Sequence, residues 1–185
     1  MNVSEFLTIV LDYGKVEGRT TLQKLAYFAS LKVRLNLDFV AHYYGPYSPT
    51  IAVALESMSA LGLIKEEVRW SNRNQRAYTY SLTKDGEAIV HNVERNENQA
   101  CEKIRNEVAR CMEVSDGRSK VLIWAAKVHY ILSKRKKPAS YLTIRKIAKS
   151  FGWDISSDEI DSGATLLQEL GLAKTRKSKG TSWEY

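Results

Sequence analysis

Apolar residues recur at three- and four-residue intervals through most of the chain and alternate only in short runs, a pattern that predicts helices with small β-hairpins. Phe6, Leu7, Ile9 and Val10 mark a first helix within residues 2–13. Leu22, Leu25, Ala26, Phe28 and Ala29 mark a second, behind Thr20 and Thr21, whose hydroxyls are expected to cap its first turn. In the segment YGPYSP, Gly45 and Pro46 signal a turn, Ser48 a helix cap, and Pro49 a first helical position that wastes no amide hydrogen. Ile51, Ala54, Leu55, Met58 and Leu61 then form the stripe of a helix that Gly62 stops. Residues 63–70 and 76–82 are rich in β-branched and aromatic side chains and flank the polar SNRNQ, as the two arms of a hairpin do. Thr83 caps the next helix, with Glu87 near its first turn.

Residues 94–112 predict a long charged helix with a narrow stripe of Ala100, Ile104, Val108 and Met112, suited to pairing with a second copy, so a homodimer is expected. Ser115, Asp116 and Gly117 break it. Residues 120–132 form a strongly apolar helix that KRKKPAS interrupts, with Pro138 ending any continuation. The first outline then recurs. Thr143 opens a short helix that Gly152 ends; Ser156 or Ser157 caps another, carrying Ile160, Ala164, Leu167 and Leu170, that Gly171 closes. Residues 172–176 and 181–185 pair as strands about KSKG. The expected fold is mainly α with small β-hairpins, an α+β protein of tandem winged-helix domains joined by a long helix: residues 1–92, a connecting helix at 93–117, and 118–185.

The first half carries a recognisable pair of motifs. Gly18, Arg19, Leu22, Gln23, Lys24, Leu25 and Tyr27, followed about two dozen residues later by Tyr44, Gly45, Pro46, Tyr47 and Ser48, resemble the signature of the Panacea domain of phage-associated and SocA-like antitoxin proteins, and are similar to the bacterial YwgA-like proteins. The resemblance covers about half of the chain. It implies a winged-helix-like module that neutralises a protein or regulates transcription, and it brings no catalytic residues.

Charge changes the picture in the second half. Up to Val114, fourteen Lys and Arg face fourteen Asp and Glu, while the remainder has fourteen against seven, so the whole net charge of +7 lies there. Three clusters carry it: Lys134, Arg135, Lys136 and Lys137; Arg145, Lys146 and Lys149; and Lys174, Arg176, Lys177 and Lys179. All are expected to track the phosphates of double-stranded DNA. Arg69, Arg73 and Arg76 in the first hairpin form a weaker site, partly cancelled by Glu66 and Glu67. The helices that would read bases are not basic: the first exposes Thr50, Ala52, Val53, Glu56, Ser57 and Ser59, the second Asp158, Glu159, Asp161 and Glu169. Tyr43, Tyr44 and Tyr47 either pack a turn or anchor a protein partner.

His42, His91 and His129 lack metal-ligand spacing, and Cys101 and Cys111 form no CxxC, so no metal, cofactor or enzymatic activity is expected, and the thiols are expected to be reduced. No apolar run approaches a bilayer's thickness and no signal peptide opens the chain, which places it, as an expectation, in the cytoplasm without a membrane partner. Two functions follow: a transcription regulator that binds DNA chiefly through its C-terminal domain, or an antitoxin-like module whose N-terminal domain grips a toxin-like protein.

Overall fold

The computed structural model describes residues 1–33, 35–70, 76–135, 137–177 and 181–184, with residues 175–177 and 181 described in their backbone alone. Helix α1 (Val3–Leu11) starts at a capping box in which Asn2 and Glu5 satisfy each other's backbone amides. Strand β1 (Val16–Glu17) leads into α2 (Arg19–Ser30), and after the hairpin of β2 (Val40–His42) and β3 (Gly45–Tyr47) the chain forms α3 (Pro49–Ala60). Strands β4 (Ile64–Trp70) and β5 (Arg76–Leu82) pair in register from Ile64↔Leu82 to Trp70↔Arg76, and β1 adds to the outer side of β5, giving the order β1-β5-β4.

Helix α4 (Lys84–Ser115) is broken at Glu97, where φ is −137° and ψ 39°. It is followed by α5 (Ser119–Arg135), β6 (Ala139–Ser140), α6 (Tyr141–Ser150), α7 (Ser157–Glu169), β7 (Lys174–Lys177) and β8 (Thr181–Glu184). The last three strands stand in the order β6-β8-β7. Each set of three strands therefore repeats one plan: a short strand between two helices pairs with the second arm of a hairpin that comes later. The protein is of mixed α and β structure, mostly helical, with small antiparallel sheets.

The residues group into two compact units, one of Met1–Phe39 and Ser48–Ala109, the other of Val40–Tyr47 and Arg110–Tyr185. The expected boundaries at 92 and 118 place residues 40–47 with the first domain, whereas here the β2–β3 hairpin groups with the C-terminal residues. The first unit buries Phe6, Leu7, Ile9 and Val10 of α1, Leu22, Leu25 and Phe28 of α2, and Ile51, Leu55 and Met58 of α3. The second buries Leu122, Val128 and Ile131 of α5 with Ile160, Leu166 and Leu167 of α7. At Gly163 a Cβ would stand 2.8 Å from Ala125 N, so α5 and α7 approach backbone to backbone there.

Several local expectations change. The N-cap of α2 is Gly18, at φ 89°, with no side-chain cap; Thr20 and Thr21 lie inside the helix. Leu61 is exposed, because α3 ends at Ala60 and Gly62, at φ 71°, turns the chain so that Leu63 N reaches back to Met58 O. Helix α6 begins two residues before Thr143, with Ser140 as its cap. Lys134 and Arg135 belong to the last turn of α5 and not to a loop. Of the stripe that suggested a homodimer, Ile104 and Val108 are fully buried within the chain itself, as are the neighbouring Cys101 and Cys111, while Ala100 and Met112 are half-buried. The SNRNQ loop and most of the KSKG turn lie outside the described residues.

Candidate nucleic-acid interface

Helix α6 is amphipathic. Ile144 and Ala148 are buried, while Leu142, Arg145, Lys146 and Lys149 point outward at positions three, four and seven residues apart. Lys149 in the last turn also complements the carbonyl end of the helix. Upstream, Lys134, Arg135 and Lys137 are exposed; Lys134 Nζ lies 5.4 Å from the Tyr130 ring centroid, and Arg135 Nε donates to Pro138 O at 3.3 Å. Residues 117–153 contain ten Lys and Arg and no Asp or Glu, so these cations have no acidic neighbour in sequence to neutralise them. Among the described residues, none of the six forms a salt bridge.

The remaining basic positions divide. Lys174 is exposed on β7, and Arg176 and Lys177 follow on the same strand with only their backbone described. Lys136, Lys179 and Arg73 lie outside the described residues. On β4, Arg69 pairs with Glu67 at 3.6 Å, a carboxylate that Lys65 at 2.7 Å and Lys15 at 3.2 Å also contact. The hydrogen bonds from Lys65 and Lys15 hold the Glu67 carboxyl down at about 2. The Arg76 guanidinium lies 5.3 Å from the Trp70 ring centroid, within cation–π range. The Arg69 charge is locally paired in a way that those of Arg145, Lys146 and Lys149 are not among the described residues.

Helix α7 presents Asp158 and Asp161 outward, and Glu159 is held in a capping box with Ser156. Asp161 accepts from Tyr141 Oη, a hydrogen bond that pushes the Tyr141 phenol up to about 12 and ties the start of α6 to α7. Helix α3 exposes Val53, Glu56, Ser57 and Ser59, with Thr50 and Ala52 half-buried. Neither helix offers a cation to a base edge.

The motif residues have structural work. Arg19 Nε donates to Tyr80 Oη at 2.9 Å, its guanidinium pairs with Glu66 at 3.1 Å, and it stands 3.7 Å from the Tyr78 ring centroid, pinning the start of α2 to the sheet. Gln23 is buried and makes a two-point amide pair with Ser48: Nε2 donates to Ser48 O at 3.0 Å and Oε1 accepts from Ser48 N at 3.0 Å. Ser48 Oγ in turn accepts from Ile51 N at 3.1 Å as the cap of α3. The spacing of the two motifs is thus the spacing of one clamp.

No family model matches the chain. The chain is similar to YwgA. That uncharacterized protein of Bacillus subtilis (strain 168) is 31% identical over 88 residues, which are 47% of this chain and 52% of YwgA. The chain therefore spans about half the length of this curated relative. The likeness fits a YwgA-like family.

The tyrosines occupy two environments. Tyr47 is half-buried, its ring 5.0 Å from that of His42. Tyr43 and Tyr44 form the two-residue turn between β2 and β3, 70% and 52% exposed, with their rings edge to face at 4.8 Å. The hairpin is fixed by an indole: Trp153 Nε1 donates to His42 O at 2.6 Å. The sequence reading missed Trp153, whose ring packs on Phe151 at 5.0 Å and Tyr130 at 6.0 Å. The signal was an FGW triplet closing a basic helix. Among the described residues, no group of three or more His, Cys, Asp or Glu is placed to hold a metal, and no helix is long and apolar enough to cross a membrane.

Proposed function

We propose that this protein is a non-enzymatic, cytoplasmic DNA-binding regulator built of two winged helices, with its phosphate contacts made mainly by the second. The repeated plan supports the fold: helix, strand, helix, helix and hairpin in each half, with the first strand pairing to the last in the orders β1-β5-β4 and β6-β8-β7. The observation that carries the function is the outward row of Arg145, Lys146 and Lys149 on α6, in a stretch without a single acid. Because α3 and α7 are neutral or acidic, affinity comes from phosphate neutralisation more than from base reading.

A second reading, a protein-interaction module of the antitoxin-like kind, is favoured by α3, whose outward face of Val53, Glu56 and Ser57 suits a protein partner better than a groove. Recovery of the tagged full chain from its own cells, with and without nuclease, separates the two. Nuclease-sensitive recovery of DNA is the expected result; a stoichiometric protein that survives nuclease, with no DNA, overturns the first reading in favour of the second.

A further inference from the structure

The Tyr43–Tyr44 turn exposes two aromatic rings side by side. A two-residue hairpin turn ordinarily takes Gly, Asn or Asp, and nothing in the backbone here asks for an aromatic pair, since Gly45 supplies the positive φ of 92° that turns the chain back. Both rings are nevertheless set in water on a rigid mount. Three register pairs hold β2 to β3, Tyr47 packs on His42, and the Trp153 indole locks the residue just before Tyr43. Aromatic rings on such a mount lose little entropy when they bind.

What lies beside the turn decides what it binds. Trp153, which holds His42, packs at a tilt against Phe151, and both rings meet Tyr130, at 6.0 and 5.7 Å, over which Lys134 Nζ sits. Phe151 is itself half-exposed and follows Lys149 by two residues. The hydrogen bond from Trp153 to His42 O therefore sets the tyrosine turn beside a cluster of three rings, Tyr130, Phe151 and Trp153, at the C-terminal end of the basic helix α6. Residues 40–47 contain no Asp or Glu, and neither do residues 117–153. A polyanion with flat apolar faces matches this combination of cations and exposed rings; an acidic or apolar protein surface matches only one half of it.

We propose that Tyr43 and Tyr44 are a base-stacking platform at the edge of the basic surface, and that the favoured ligand is DNA with unpaired bases beside a duplex. This rests on the DNA-binding reading given above and specifies its ligand. The duplex lies along α6 through its phosphates, and the unpaired bases stack on the tyrosine rings.

The test is anisotropy titration of the full chain against a blunt duplex and the same duplex carrying a single-stranded thymidine overhang. The wild type binds the overhang probe more tightly. Replacing both tyrosines with alanine lowers affinity for the overhang probe by about 5- to 150-fold for each base that no longer stacks, and leaves the blunt duplex unchanged. Tyr43→Phe with Tyr44→Phe keeps the preference; Tyr43→Leu with Tyr44→Leu, apolar without a ring face, loses it. Equal affinity of wild type and alanine variant for the overhang probe overturns the stacking platform while leaving duplex binding intact. An equal loss on both probes also overturns it, by showing that the turn serves the surface generally. Unchanged DNA affinity with loss of a defined protein partner reassigns the turn to that partner. Absence of any DNA binding by the wild type overturns the DNA-binding reading and this one with it.

Discussion

Replacing Gln23 with alanine removes the amide that pairs with both backbone groups of Ser48, in a place where water cannot substitute for it. Gln23 is 4% exposed and Ser48 fully buried, so the Ser48 N–H loses its partner without solvation, while Ser48 O keeps the hydrogen bond from Ala52 N at 3.3 Å. A buried polar group left unsatisfied costs about 1–3 kcal/mol, which is the loss expected from the stranded Ser48 N–H. At roughly 2–4 °C per kcal/mol for a chain of this size, the midpoint of thermal unfolding falls by about 2–12 °C. Gln23→Glu is the informative control. Its carboxylate still accepts from Ser48 N but faces Ser48 O with like charge, so its folded pKa rises above the ordinary glutamate value. The variant is therefore destabilised at neutral pH and recovers stability as pH falls through that raised pKa, when the protonated carboxyl can donate to Ser48 O. Far-UV dichroism on heating, together with hydrogen exchange at Ser48, reads both effects. A Gln23→Ala variant within about 0.5 kcal/mol of wild type, with Ser48 still protected, refutes the clamp.

Three further outcomes follow from particular contacts. Helix propensity alone says Gly163→Ala gains about 1 kcal/mol, but its Cβ would meet α5 backbone at 2.8 Å, so a net loss of about 1–3 kcal/mol is expected in urea unfolding, and a gain contradicts the close approach of α5 and α7. Lys65 and Lys15 depress the Glu67 carboxyl to about 2, so its contribution to stability is present above about 4.5 and lost as pH falls toward 2; NMR titration of Glu67 near 4.5 contradicts the ion cluster. A fragment of residues 110–185 lacks the β2–β3 hairpin and leaves the Trp153 indole N–H without His42 O, a loss of about 1–3 kcal/mol that a peptide of residues 40–47 restores in part; no response of the fragment's unfolding midpoint to that peptide contradicts the grouping of the hairpin with the C-terminal residues.

Local signals read the elements well because they are settled within a few residues. Ser48, Pro49 and Ser156 cap and open helices as their chemistry requires, and residues 76–82 form the predicted strand. What local pattern could not reach was pairing across long separations. Strand β1 has only two residues, too few to alternate, and exists because β5 lies alongside it more than sixty positions later. Gln23 looks like one polar residue in an apolar run, and its meaning depends on a backbone twenty-five residues away. The hairpin of residues 40–47 takes its place from Trp153, which no spacing rule connects to it. Of the candidate site, the charge asymmetry was legible from counting, whereas the pairing of Arg69 with Glu67 and the outward placement of Arg145 and Lys146 required the packed structure.

The central claim is that α6 binds phosphates, and the salt dependence of binding measures it most directly. A labelled blunt duplex is titrated with the full chain across a range of monovalent salt, for the wild type and for Arg145→Gln with Lys146→Gln and Lys149→Gln, three exposed positions whose replacement leaves the core untouched. Each cation withdrawn from a phosphate takes about 0.9 from the slope of log K against log salt, so the triple variant is predicted to drop roughly 2 to 3 from that slope and to weaken similarly on unrelated duplexes. Replacing Arg69 and Arg76 has a smaller effect, because Glu67 already holds Arg69. A triple variant that keeps the wild-type slope and affinity contradicts phosphate binding by α6.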